Sequence, residues 1–200
     1  MYKIINMKKS SLTLIVLLTI LLINVNVYSQ SYSLDNTTSQ ITVSGTSSLH
    51  DWDVISNNFN GTTLFNITTN QIENLVVDIA SESLKSGKSI MDKKTYKALN
   101  SDDFKSITFK MIEVKSNSKI NEVTDEVKIM GELTICGFKK LIAIDIKVLK
   151  TNKGVNVSGT YDMKMTDFKI EPPTALLGTI KTGDEISIHF NANFKNIKNL

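Results

Sequence analysis

Apolar and polar residues alternate with a period of two along almost all of the chain from residue 32 onward, the signature of strands with one buried face. Phe59, Gly61, Thr63, Phe65 and Ile67 share one parity, and Asn60, Thr62, Asn66 and Thr68 fill the other, with Leu64 the exception. Val127, Ile129, Gly131, Leu133 and Ile135 alternate with Lys128, Met130, Glu132, Thr134 and Cys136. The clearest run sets Val155, Val157, Gly159, Tyr161, Met163 and Met165 against Asn156, Ser158, Thr160, Asp162, Lys164 and Thr166. Ile186, Ile188, Phe190, Ala192 and Phe194 close the series opposite Ser187, His189, Asn191 and Asn193. Weaker runs cover 39–45, 73–82, 106–115 and 140–149, so at least eight strands are predicted. Asn152-Lys-Gly154, Thr182-Gly-Asp184 and Asn58 to Gly61 read as turns between them. One segment breaks the period: Ile90, Met91, Thr95, Ala98 and Leu99 recur at near-helical spacing, which predicts one short helix over 90–99.

This many antiparallel strands with one apolar face must pack as two sheets or close on themselves. Glycine occupies the apolar parity in mid-strand at Gly61, Gly131 and Gly159. It weakens a strand unless a bend or close approach requires it, so these positions either permit the curvature of a barrel or leave room inside one. Both readings favour a barrel over a sandwich. The inward set is apolar, glycine, threonine or tyrosine and carries no charge, so a cavity there would suit a long apolar molecule.

Charge alters this picture at one end only. All 23 basic residues are lysines, against 20 acidic residues, for a net charge of +3. Lys3, Lys8 and Lys9 precede an apolar run from Leu12 to Ile23, and a polar stretch ends in Val27-Tyr28-Ser29. These are the three parts of a secretory signal, and the run is too short to span a bilayer comfortably. The expectation is therefore a signal peptide over residues 1–29 and one barrel domain over 30–200, exported to the periplasm or secreted. No cysteine lies near the expected cleavage site to be lipidated, so a soluble product is expected. Removing the three leader lysines leaves 20 against 20, so the basic balance is no footprint for nucleic acid, and no nucleic-acid partner is expected.

Reactive side chains are few. The chain has two histidines, one cysteine and no arginine, and no spacing of Cys and His suggests a metal site. No cofactor and no enzymatic activity are expected. His189 falls on the polar parity and should face solvent, and Cys136 falls on the outward parity as an incidental thiol. Ser47-Ser-Leu-His50-Asp51-Trp52 is denser, with hydroxyls, an imidazole, a carboxylate and the only tryptophan in six residues. It reads as a turn held by polar contacts, as a lip at a cavity mouth formed by His50 and Trp52, or, least favoured, as an acyl-transfer site. The pairs Lys93-Lys94 and Lys139-Lys140 read as solvated faces that could assist transient contact with an anionic membrane surface.

Gly131-Glu-Leu-Thr-Ile-Cys-Gly137-Phe-Lys-Lys140, Val157-Ser-Gly-Thr-Tyr-Asp-Met163-Lys-Met-Thr-Asp167-Phe168-Lys-Ile170 and Gly178-Thr-Ile-Lys-Thr-Gly-Asp184-Glu-Ile-Ser-Ile-His-Phe190 together resemble the YceI-like family. The likeness extends to Ser101-Asp-Asp-Phe104-Lys-Ser-Ile-Thr-Phe109 and to Thr38-Ser-Gln-Ile-Thr-Val-Ser-Gly45. The chain departs from the family's commoner opening, in which a histidine stands near the start of the first long strand; here Thr38-Ser39 stand there and His50 comes later. The resemblance implies an exported lipocalin-like antiparallel β-barrel of about eight strands that encloses a polyisoprenoid or other long-chain lipid. Phe59, Phe65, Ile129, Tyr161, Met163 and Phe190 are then expected to line the cavity and His50 and Trp52 its mouth, and the mechanism is non-covalent. Two alternatives stand beside this reading. One is a surface module that uses the barrel only as a scaffold, with a filled interior and an exposed apolar patch as its marker. The other is a lipid-modifying enzyme centred on His50.

Overall fold

The computed structural model describes residues 29–197, so the leader expected over residues 1–29 lies outside the described residues except for Ser29. Eleven strands follow in order: β1 (Ser29–Leu34), β2 (Gln40–Ser47), β3 (Trp52–Ser56), β4 (Phe59–Asn66), β5 (Gln71–Ala80), β6 (Ser106–Lys119), β7 (Thr124–Ile135), β8 (Phe138–Thr151), β9 (Gly154–Lys164), β10 (Thr174–Ala175) and β11 (Ile180–Asn196). A single α-helix among the described residues, α1 (Ser89–Ala98), lies between β5 and β6. Every pairing is antiparallel, and the order β1-β4-β5-β6-β7-β8-β9-β11 returns to β1 through the pairs Tyr32↔Asn196 and Leu34↔Phe194. The sheet is therefore a closed barrel with no free edge along its lower half.

The count of eight expected from the alternation is reconciled with these eleven by two interruptions and by β10, a two-residue strand that pairs only with β11 and lies off the barrel path. β11 pairs with β1 near its C-terminal end and with β2 over Thr182 to Asn191, so β1 and β2 together occupy one barrel position. β4 pairs with β1 and β3 with β2, so β3 and β4 share the next position. The first interruption is an Asx turn. Asp35 Oδ1 accepts from Thr37 N (3.2 Å) and Thr37 Oγ1 (2.7 Å), and Oδ2 accepts from Thr38 Oγ1 (2.9 Å). Lys195 Nζ, on β11, stands 2.6 Å from Oδ2 and ties the turn to the closing strand.

That pairing with Lys195, helped by the hydroxyls of Thr37 and Thr38, holds the Asp35 carboxyl well below the usual carboxylate range. A carboxyl depressed in the folded state contributes its stabilisation fully above its unfolded value of about 4 and loses it as pH falls toward the folded value. Asp35→Asn is therefore expected to be less stable than wild type at neutral pH, with the difference shrinking below about pH 4. Urea midpoints across pH 2 to 7 check this; a deficit that stays constant with pH would refute it.

Four local features differ from the pattern read along the chain; in the first, the turn expected over Asn58 to Gly61 is confined to residues 57–58, and Phe59 to Gly61 are paired with β5 as the start of β4. Thr182-Gly-Asp184 is not a turn: β11 runs through it, and Thr182↔Ser47 is followed by Ile186↔Gly45, a bulge that lets the strand bend while the ladder continues. The run expected to reach residue 166 ends at Lys164, and Met165–Phe168 forms a 3-10 turn closed by Lys169 at φ 57°. Cys136 is buried rather than outward. It sits with Gly137 in the β7–β8 turn at φ 49°, which breaks the alternation and drives its Sγ toward the Leu99 carbonyl at 3.1 Å.

The mid-strand glycines have a shared cause. An added Cβ at Gly159 would meet Phe190 Cζ at 2.7 Å, at Gly131 it would meet Phe109 Cζ at 2.4 Å, and at Gly45 it would meet Trp52 Cζ2 at 2.3 Å. Gly159↔Phe190 and Gly45↔Trp52 are directly paired across strands. Each aromatic ring therefore lies back over a neighbouring glycine. A ring folded against the wall in this way does not cross the lumen, so these glycines leave space inside by proxy.

Candidate lipid cavity

The inward faces differ between the two ends of the barrel. At the end holding β1 and the β8–β9 turn, Tyr32, Phe65, Ile72, Val127, Val155 and Phe194 are all buried in one continuous core. Tyr32 and Phe65 meet edge to face with centroids 6.5 Å apart. At the other end, Val43, Val77, Phe109, Ile186, Ile188 and Phe190 share the inward parity but are only half-buried, because they border open space. That space is a cavity of about 670 Å³, within the range of small-molecule sites.

Aliphatic side chains from β5, β7, β8, β9 and β11 form the deep walls, Ile129, Ile144 and Val157 among them. The polar lining groups, apart from Tyr161, sit at the open end: Ser47 and His50 before β3, Lys88, Ser89, Lys94 and Thr95 on or beside α1, and Thr182 on β11. No carboxylate lines the cavity. Burial pushes the Tyr161 hydroxyl above its usual value, so at neutral pH it keeps its proton and the wall there stays uncharged.

Local structure explains the mouth. In the turn after β2, Ser47 Oγ donates to the His50 carbonyl (2.7 Å) and accepts from the amides of Leu49 and His50 (3.2 Å each). Ser48 N donates to Lys181 O (2.9 Å) and Lys181 N to Ser48 Oγ (3.1 Å), which pins this turn to β11. Trp52 is fixed by its ring over Gly45 and by Nε1–H donating to Thr46 O at 3.0 Å. On the opposite side, Asp92 Oδ1 accepts from Ser86 N (2.7 Å) and Oγ (2.6 Å), which ties the loop before α1 to the helix, and Lys94 Nζ reaches Thr174 O at 2.5 Å.

Of the residues expected to line a cavity, Phe59, Ile129, Tyr161, Met163 and Phe190 border this one, as do His50 and Trp52 at its mouth. Phe65 does not. It shares the inward parity, but it lies past the β4 register shift at Leu64/Phe65, deep in the packed end against Tyr32. Several lining residues were outside the expected set. Val77 and Phe109 lay in weak alternation, and Ile188 was on the inward parity without being singled out.

Each of the reactive residues has a hydrogen-bond partner close by. His50 Nδ1 donates to Asp51 O at 2.7 Å, and the Ser47 hydroxyl is committed to the backbone, so the two do not form a nucleophile–base pair. His189 is exposed, with Nδ1 2.9 Å from Thr160 Oγ1. Burial raises the Cys136 thiol above its usual value and so disfavours the reactive thiolate. Among the described residues, no group of three or more His, Cys, Asp or Glu side chains converges as a metal site. Also among the described residues, no helix is long and apolar enough to cross a membrane. Lys139 and Lys140 are paired with Glu132 (2.9 Å) and Asp167 (2.8 Å), so neither is a free surface cation.

A family model described as the YceI-like domain matches residues 32–194, from the first core residue of β1 to the last of β11. The chain belongs to the YceI-like family. The match takes in both interruptions, the helix and the bulge, so the whole closed barrel is the YceI-like domain. Solved structures share the fold at low identity. BcnA of Burkholderia cenocepacia superposes with a TM-score of 0.65 at 15% identity over 80% of this chain and 98% of its own. A polyisoprenoid-binding domain from Saccharophagus degradans, implicated in plant cell wall breakdown, gives 0.65 at 13% identity over 84% and 99%. The YceI protein of Campylobacter jejuni gives 0.55 at 21% identity over 70% and 82%. No curated protein matches the chain in sequence.

Proposed function

We propose that this YceI-like barrel is an exported carrier that holds a polyisoprenoid or other long-chain lipid non-covalently in its cavity. The observation that carries the reading is the half-burial of Val43, Val77, Ile186, Ile188 and Phe190 around about 670 Å³ of carboxylate-free space. Apolar side chains left in contact with open space are a standing cost that an apolar ligand removes, at about 0.8 kcal/mol for each methylene taken out of water. A chain of roughly ten carbons would therefore bind usefully even after the losses of association. Met163 and Met165 border the same space and supply packing that adapts to ligand shape. The related Saccharophagus degradans domain is described as polyisoprenoid-binding, which agrees with this choice of ligand class. Export is supported by the basic, apolar and small-residue pattern of residues 1–29.

Protein purified from its native host and extracted with organic solvent is expected to release a long-chain apolar molecule detectable by mass spectrometry. A lipid-free extract, together with failure of the empty protein to take up a polyprenol, would sink the proposal.

A further inference from the structure

The rim of the cavity carries apolar side chains that the barrel itself does not use. Leu49 is 66% exposed and Ile90 74%, and both border the cavity mouth. Leu176 is 72% exposed and Leu177 fully so, at the tip of the β10–β11 hairpin, whose Ala175 and Ile180 border the same mouth. That tip is a turn closed by Gly178 N donating to Ala175 O at 3.1 Å, with Leu176 at φ 48° and Leu177 at φ 56°. Left-handed backbone favours Gly, Asn or Asp and disfavours a branched apolar side chain. Two successive leucines held in this conformation and pointed into water are unfavourable both for the backbone and for hydration, and strain of this kind collects at functional sites.

We propose that this rim is a docking surface for an anionic lipid bilayer, with Leu49, Ile90, Leu176 and Leu177 entering the interface and Lys88 facing the headgroups. The inference rests on the lipid-carrier reading above, since a bilayer is where a water-insoluble cargo would be collected or delivered. Charge favours a membrane over an uncharged apolar partner: Lys88 is exposed on the α1 side of the mouth, Lys94 beside it is held by Thr174 O, and no carboxylate borders the cavity, the exposed Asp51 next to His50 lying outside it. The surface differs from the lysine pair at 139–140, which is neutralised by Glu132 and Asp167 on the barrel wall.

The test uses residues 30–200, which contain every barrel strand, short only of Ser29 at the start of β1, and the whole core, but not the apolar run at 12–23, which would partition into vesicles by itself. Flotation with phosphatidylcholine vesicles, with and without phosphatidylglycerol, is compared for wild type and for Leu176→Asn/Leu177→Asn. Asparagine tolerates the left-handed turn, so the double variant is expected to fold at least as stably. Wild type is expected to float with the anionic vesicles, and the double variant to bind them about tenfold less or weaker. Its affinity for a fluorescent fatty-acyl probe is expected to be unchanged, since neither leucine borders the cavity. Lys88→Gln is expected to weaken binding to the anionic vesicles by about fivefold, and added salt to erase that difference. Equal vesicle binding by wild type and the double variant would overturn the proposal, as would absence of wild-type binding. So would a concentration-dependent dimer of wild type, lost in the variant, without any vesicle binding. Leucine-dependent flotation without probe uptake would sink the carrier reading instead and leave the docking surface standing.

Discussion

Ile188→Trp is expected to abolish most lipid binding while leaving the barrel as stable as wild type or more so. Ile188 lies mid-strand on β11, opposite Tyr161 on β9 and Val43 on β2, with its side chain half-buried because it faces the open cavity. A larger ring there extends into space and not into packed neighbours, so the usual cost of overpacking does not apply. Filling a void tends to stabilise. The ring would displace two or more methylenes of a bound chain, and at about 0.8 kcal/mol each this weakens binding by roughly tenfold or more. Titration with a fluorescent fatty-acyl probe and a thermal melt, run side by side, check both halves. Unchanged affinity would mean that the ligand does not occupy this cavity.

Phe194→Ala is expected to give the opposite split, a large loss of stability through a residue that touches no ligand. Phe194 is only 1% exposed, pairs with Val155 on β9 and with Leu34 on β1, and so sits at the seam that closes the barrel. Its ring also lies within 3.3 Å of where a Cβ would stand on Gly61, so the neighbouring backbone is fitted to it. Truncating a buried phenylalanine in such packing costs about 3–5 kcal/mol, a large share of the stability of an ordinary domain. Urea denaturation followed by tryptophan fluorescence measures the loss. A cost below about 1 kcal/mol would show that the lower end is not where the fold is held.

The barrel was legible in the chain because alternation is a local signal and survives without knowledge of partners. Val155 to Met163 and Ile186 to Phe194 show their inward faces from spacing alone, and those two segments pair residue for residue as β9 and β11. Phe65 marks the limit of that signal. Parity places it inward but does not give its height along the barrel axis, and height separates the packed end from the hollow one. The pairing of Gly159 with Phe190 and of Gly45 with Trp52 depends on register between strands distant in sequence, which no single-strand pattern contains. Cys136 departs from the outward parity because two consecutive positive-φ residues, Cys136 and Gly137, reset the alternation at the turn. Leu176 and Leu177 follow the only prolines in the chain and carry no periodicity, so their exposure became visible only with the hairpin formed.

The division between a packed end and a hollow end also bears on how such a chain can change. Tyr32, Phe65, Val127, Val155 and Phe194 hold the barrel shut from below and do not line the cavity, whereas Val43, Val77, Ile186 and Ile188 are half-buried at the edge of the core, so substitutions among them alter the shape offered to a ligand at less cost to the fold. Ligand preference and foldability thereby weigh on overlapping but differently placed residues. A lineage built on this plan can drift in its cargo one half-buried wall residue at a time, each step screened more for fit than for survival of the barrel.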